Sequence, residues 1–183
     1  MYHISLYFDD ISREYLAKLI KNVAVGSGNT FMLDKEIEPH ITIAVDEPLN
    51  EPGISQESIY SRINSGLKMK TEMNNLGSGR VDICSIGCFK PHVLFLQPVL
   101  NDYLIDINRQ ANELMMNEKM ADEYKPGNWT PHISIAKGLS EAQMNLAFGN
   151  LFANFKRFEA EVVSIGLKDT KGVMPEYRYT LII

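Results

Sequence analysis

Apolar and polar positions along the chain fall into short strand-like runs separated by longer stretches of helical spacing. Tyr2 to Phe8 (YHISLYF) alternates loosely and is rich in β-formers, which predicts a strand. Asp9, Asp10 and Ser12 supply helix-start chemistry, and Tyr15, Leu16, Leu19, Ile20 and Val23 share one helical face until GSGN at 26–29 stops it. Pro39 to Val45 reads as the next strand, with proline at its first position, where the missing N–H falls at the strand's edge. After the loop DEPLNEPG, Ile59, Ile63 and Leu67 recur at fourfold spacing and predict a helix over Ser55 to Met69; the polar NNLGSGR then leads into a third strand, VDICSIGCF.

The order then starts again. Val93 to Gln97 predicts a strand, and Leu100, Leu104, Ile107, Ala111 and Leu114 or Met115 predict an amphipathic helix. A loop containing KPGN precedes a strand that starts at Pro131. Ser140-Glu-Ala-Gln143 has the form of a capping box, opening a helix with Ala147, Phe148 and Leu151 for its buried face. Strands at Glu159 to Leu167 and Arg178 to Ile183 close the chain. From Tyr2 to His40 is 38 positions and from Val93 to His132 is 39. Strand, helix, strand, helix, strand therefore occurs twice, with one further strand at the C-terminus. The expectation is an α+β fold: one bilobal domain of duplicated units related by a pseudo-twofold, lobe 1 about 1–89 and lobe 2 about 90–183. Antiparallel or mixed sheets would line a central cleft, with the C-terminal strand free to cross between lobes.

Composition narrows the function. With 183 residues, 45% apolar and 22% charged, the chain can bury a full core. A net charge of −5 argues against a surface that grips long duplex nucleic acid, where lysine and arginine supply most of the affinity, and leaves a short RNA end or a single nucleotide open. The N-terminus lacks a signal-peptide pattern and no run of 18 apolar residues occurs, so the expectation is a monomeric cytoplasmic protein with no membrane partner. Cys84 and Cys88 lie four apart in a strand, roughly 13 Å at about 3.3 Å per residue, too far to bridge; they read as buried or idle thiols.

PHITIA at 39–44 and PHISIA at 131–136 are nearly the same hexapeptide. In a strand, residues i and i+2 share a face, so His40 with Thr42 and His132 with Ser134 each present an imidazole and a hydroxyl together, while Ile41, Ile43, Ile133 and Ile135 point into the core. Imidazoles exchange protons near neutral pH and hydroxyls bond anionic oxygens. Two such pairs facing each other suit a phosphoryl transition state, one histidine taking a proton from the attacking oxygen and the other protonating the departing one. A copied packing strand with a solvated polar face is the plainer alternative. His3-Ile4-Ser5 is a third match to the tetrapeptide without the flanking Pro and Ala; His3 is open as a site-lining residue and as an ordinary strand-surface residue. Two imidazoles alone would make a poor metal cage, so a metal site is disfavoured and no cofactor is expected.

The motif pair, each copy after proline and inside a repeated unit, resembles the two-histidine phosphoesterase superfamily, the 2′-5′ RNA ligase-like and cyclic phosphodiesterase proteins. The likeness spans nearly the whole chain, including YHISLYFDD, SIGCF and VLFLQPVLNDYLIDINRQANELM. It implies a metal-independent hydrolase acting on a 2′,3′-cyclic phosphate or a 2′-5′ linkage in RNA or a nucleotide. His40 and His132 would be its acid–base pair, with Thr42 and Ser134 on the non-bridging oxygens. Ser134 stands where relatives more often have Thr, and keeps the hydroxyl. Lys137 stands where relatives often carry a basic residue, as a phosphate partner or a solvated strand-end lysine. Trp129, the single tryptophan, is weighed between base stacking and lobe packing, and Phe89 between the cleft border and the core. A nucleotide- or RNA-end-binding protein with little catalysis, and an RNA ligase, are the alternatives.

Overall fold

The structure is a computed structural model that describes residues 1–46, 55–73, 76–89, 92–115 and 121–182. In chain order it runs β1 (Tyr2–Phe8), α1 (Asp10–Ser27), α2 (Phe31–Asp34), β2 (His40–Asp46), α3 (Gln56–Glu72), β3 (Gly79–Phe89), β4 (Val93–Pro98), α4 (Asp102–Met115), a 3₁₀ turn (Asp122–Tyr124), β5 (Ile133–Lys137), α5 (Glu141–Asn154), β6 (Phe158–Asp169) and β7 (Tyr177–Thr180). Most of the loop expected after β2, residues 47–54, and the predicted strand end at Ile183 lie outside the described residues.

Local chemistry sets the helix ends where the sequence implies. The Asp9 carboxylate accepts from the Ser12 amide to open α1, and Gly28 closes it in the left-handed region at φ 68°, which glycine adopts without Cβ strain. Ser140 and Gln143 form both bonds of a capping box on α5. Two side chains correct the expected helical faces. α4 begins only at Asp102, so Leu100 sits ahead of it, half exposed; and Phe148 on α5 is 40% exposed while Ala147 and Leu151 are buried. The four-residue α2 is too short to show a period in the sequence. Cys84 is partly buried and Cys88 exposed, both as free thiols.

Seven strands form one sheet in the order β1-β2-β5-β4-β3-β6-β7, with β6 also pairing β1, and every pairing is antiparallel. β1 lies between β2 and β6, and β4 between β5 and β3. The third strand of each sequence unit thus pairs with the first strand of the other: β6 with β1, and β3 with β4. β6 is long enough to serve both sides, its Phe158–Val162 half on β3 and its Val162–Asp169 half on β1. Inward residues of these strands, Ile4, Leu6, Ile41, Ile43, Leu94, Leu96, Ile133, Ile135 and Ile165, join the apolar faces of α1, α3, α4 and α5 in one core cluster. Burying each aliphatic side chain contributes about 1.5–3 kcal/mol, which fixes which strand face is left for polar groups.

Candidate active site

β2 and β5 meet at one residue pair, Ile41 opposite Ile133, the residues that follow the two histidines. Carried one step to either side, this antiparallel register puts His40 beside Ser134 and Thr42 beside His132 on the face away from the buried isoleucines. Each motif then locks its imidazole in the same way. His40 Nδ1 lies 2.7 Å from the Glu38 carbonyl, and His132 Nδ1 2.9 Å from the Thr130 carbonyl. A carbonyl can only accept, so Nδ1 carries the hydrogen and Nε2 is left with its lone pair when the ring is neutral. The proline between carbonyl and histidine has a fixed φ and holds the preceding residue extended, which aims that carbonyl.

A β-bulge explains how Lys137 reaches the same face. Five residues after His132 in a regular strand, it would point to the opposite side. But Leu94 pairs with Ala136 and Phe95 with Ser134, leaving Ile135 as an extra residue, so the alternation is switched and Lys137 joins His132 and Ser134. β2 has the same irregularity: Ile4 pairs with Ala44 and Ser5 with Thr42, leaving Ile43 extra. There the position matching Lys137 is Val45, which is buried opposite His3. One cation therefore serves both imidazoles.

Its field is felt on both. Burial pushes the His40 pKa down, against the Glu38 bond that raises it, and Lys137, His132 and Lys168 lower it further. His132 is lowered chiefly by burial and then by Lys137, with its Thr130 bond opposing. Burial also lowers Lys137, which has no carboxylate partner among the described residues. His3 is pushed down to about 4 by burial first, then by His40 and Lys137, and its Nε2 is buried without a hydrogen-bond partner in the described residues.

Two cavities flank this centre and share Lys137. One, ≈ 420 Å³, is walled by Phe89, Val93, Tyr124 and Trp129 with His132, and carries Glu123 and Asn128 as polar groups. The Phe89 ring stands edge-on to His132 at 5.0 Å and packs on Phe95 at 4.4 Å. The other, ≈ 370 Å³, is polar, lined by His3, Ser5, Tyr7, His40, Lys35, Glu38, Lys168 and Arg178. Thr42 and Ser134 are 8% and 7% exposed, and Ser5 Oγ donates to the Thr42 hydroxyl at 3.4 Å.

The fold thus brings His40, Thr42, His132, Ser134 and Lys137 together, with Phe89 bordering one cavity and His3 the other. Trp129 lines the aromatic cavity but is only 8% exposed, and its indole N–H donates to the Thr42 carbonyl at 3.0 Å. The Nδ2 of Asn108 donates to the Ile43 carbonyl at 2.7 Å and the Tyr124 carbonyl at 3.0 Å. Beyond Ile41 the two motif strands splay, and these side chains occupy carbonyls that a continued ladder would have paired. Sequence reading missed Asn108, Ser5, Tyr7, Glu38 and Arg178. Ser5 and Tyr7 had a signal, since alternation puts them on the face of His3. Arg178 and Asn108 had none, because their roles depend on partners 140 and 65 positions away. Among the described residues no group of three or more His, Cys, Asp or Glu is arranged to hold a metal, and no helix is long and apolar enough to cross a membrane.

No protein-family model matches the chain, and no curated protein matches its sequence. Among solved structures, Escherichia coli LigT complexed with 3′-AMP superposes with a TM-score of 0.54 at 12% identity, covering 98% of this chain and 97% of LigT. Usb1 of Kluyveromyces marxianus covers 100% of this chain and 97% of its own, at 13% identity and a TM-score of 0.49, and its form with uridine monophosphate gives 0.46 at the same identity and coverage. The α+β fold expected from the repeated motif is therefore the fold of this chain, which shares it with E. coli LigT over almost the whole length of both.

Proposed function

We propose that the cleft is the active site of a two-histidine phosphoesterase, a metal-independent phosphodiesterase acting on 2′,3′-cyclic phosphate or 2′-5′-linked RNA or nucleotide substrates. The observation that carries this reading is the pair of imidazoles with the same Nδ1–H tautomer, on strands joined at Ile41 and Ile133, flanking one shared lysine. LigT, of the same fold, is complexed with 3′-AMP.

The chemistry follows from those groups. Neutral imidazole Nε2 takes a proton from water as its oxygen attacks phosphorus, and the opposite imidazolium gives its proton to the oxygen whose P–O bond breaks. Thr42 and Ser134 donate to the non-bridging oxygens, and Lys137 offsets the charge that gathers on them. With both imidazoles lowered by burial and Lys137, the free cleft is short of the protonated partner at neutral pH. A bound phosphodiester anion raises both and restores it. The aromatic cavity offers apolar faces for a base, with Phe89 the most exposed of its rings.

That same shortage of imidazolium favours a second reading, a nucleotide-end-binding cleft with little turnover. Purified protein is incubated with 2′,3′-cyclic nucleotides, 2′-5′-linked oligoadenylate and cyclic-phosphate-ended RNA in EDTA, with and without a 5′-hydroxyl RNA acceptor, and the product linkage is determined. Hydrolysis unaffected by EDTA is expected. Stoichiometric binding with no product selects the second reading, joined RNA selects ligation, and neither binding nor product removes the proposal.

A further inference from the structure

One charged side chain beside the cleft has no part in this chemistry. Arg178, on β7, donates to both carboxylate oxygens of Glu38, at 3.2 and 2.8 Å, and to Glu176 at 3.3 Å. Its guanidinium stands 3.7 Å over the ring of Tyr7. Two of these partners, Glu38 and Tyr7, touch His40. The Glu38 carbonyl accepts from His40 Nδ1, and the Tyr7 ring lies 5.9 Å from the imidazole and pairs with it across β1 and β2. His132 has no such arrangement; its carbonyl partner belongs to Thr130, and its ring neighbours are Phe89 and Phe95.

The geometry points to Arg178 as a positioning residue for His40, acting through the Glu38 carboxylate and the Tyr7 ring. The inference rests on His40 being one of the two proton-transfer groups. Residues 35–39 join α2 to β2 without regular structure, and Glu36 within them takes φ 49°, a conformation that a non-glycine residue keeps only when its surroundings hold it. The aim of the Glu38 carbonyl therefore depends on what anchors residue 38. A bidentate guanidinium–carboxylate pair fixes angle as well as distance, which a single bond does not. Tyr7 is buried and its pKa is pushed up to about 12, by burial first, so it presents Arg178 with a neutral ring face. Both charged partners are about a third exposed, so the pair adds little to global stability and its effect is local.

The groups that face His40 are His3 and Tyr7 on β1, His132 just ahead of β5 and Lys137 at its end, Lys168 on β6, Glu176 just ahead of β7 and Arg178 on it. Lys35, Glu36 and Glu38 complete the set ahead of β2. Arg178 joins Glu38 and Glu176, and Lys168 lies 3.3 Å from Glu176, so these four charges sum to zero. Removing one of the pair leaves a net charge beside His40, and the sign depends on which is removed.

The test follows the histidine side chains of the full-length protein by NMR through a pH titration, with turnover measured in parallel on the substrate class above. Arg178→Met leaves a net negative charge and moves His40 titration to higher pH; Glu38→Gln leaves a net positive charge and moves it to lower pH; His132 stays in place in both. Each variant loses about tenfold in kcat with KM within about twofold, as expected for a misaligned proton-transfer group. Arg178→Lys keeps the charge and loses the fork, so His40 titrates as in wild type while kcat still falls. The proposal is overturned if His40 keeps its titration and Nδ1–H tautomer in both charge variants, or if Arg178→Met raises KM with kcat unchanged, which makes Arg178 a substrate contact. The NMR arm needs no substrate, so it decides the role of Arg178 even where the wild type turns over none of the phosphodiesters.

Discussion

His40 and His132 are held by the same bond to a carbonyl two residues back, yet they sit in different surroundings. Around His40 the cleft is polar: Tyr7, Glu38, Arg178 and Lys168 line it, and Ser5 supports the Thr42 hydroxyl. Around His132 it is aromatic, with Phe95 opposite Ser134 where Ser5 stands opposite Thr42. The repeated hexapeptide accounts for what the halves share, and the strands that pair with it account for what they do not. On the proposed reading, a symmetric pair of proton-transfer groups would sit in a cleft able to tell the two ends of a substrate apart, one side suited to a base and the other to charge.

Four measurements would break or sharpen this contrast. The largest effect is expected where the halves are alike: His40→Ala and His132→Ala each lower kcat by about a thousandfold or more, with circular dichroism unchanged, since general acid–base groups contribute some 10²–10⁴-fold apiece. Full activity in either variant would end the two-histidine mechanism. Next is an acid liability in the polar half, at His3. His3 binds its proton near 6.5 when unfolded and near 4 when folded, so the unfolded state takes up the proton first and stability falls as pH drops between those values. The difference corresponds to about 3 kcal/mol. Denaturant unfolding of His3→Gln should lose that much less between pH 7 and pH 4 than the wild type.

Lys137 belongs to both halves, and Lys137→Met should lower kcat/KM by roughly a hundredfold. Because Lys137 depresses both imidazoles, its removal should also move both limbs of the pH profile to higher pH. Movement of one limb alone would show that the cation is not shared. The smallest effect tests the aromatic half: Phe89→Ala should raise KM about tenfold for nucleotide substrates, in line with about 1–3 kcal/mol for stacking on one base, and leave KM unchanged for a phosphodiester without a base.

Much of this was legible in the sequence where the cause is local. The Asp9 cap, the Gly28 stop and the Ser140 capping box depend on residues within four positions, and the structure has all three. The face shared by His40 and Thr42, and the burial of the four motif isoleucines, follow from alternation alone. What escaped depends on partners distant in the chain. The pairing of β6 with β1 is invisible to periodicity because an inward-facing strand looks the same in either place. Trp129 shows how a remote partner decides a role. From sequence its indole is open to a base or to lobe packing, the commoner role at a strand entry, and only the splay between β2 and β5 presents the Thr42 carbonyl that it bonds.

The bulge at Ile135 has a consequence for recognising such sites in other chains. A pattern written as a histidine, a spacer and a hydroxyl residue records one face of a regular strand and stops there. Here the cation lies five residues after the histidine, an odd offset that regular alternation would assign to the core. The extra isoleucine and the small alanine after it occur in both copies, but only the second copy has a lysine in the position they turn outward; the first has Val45. A signature that included the bulge would therefore distinguish the two copies from a single strand each, and would identify which of two duplicated segments carries the positive charge.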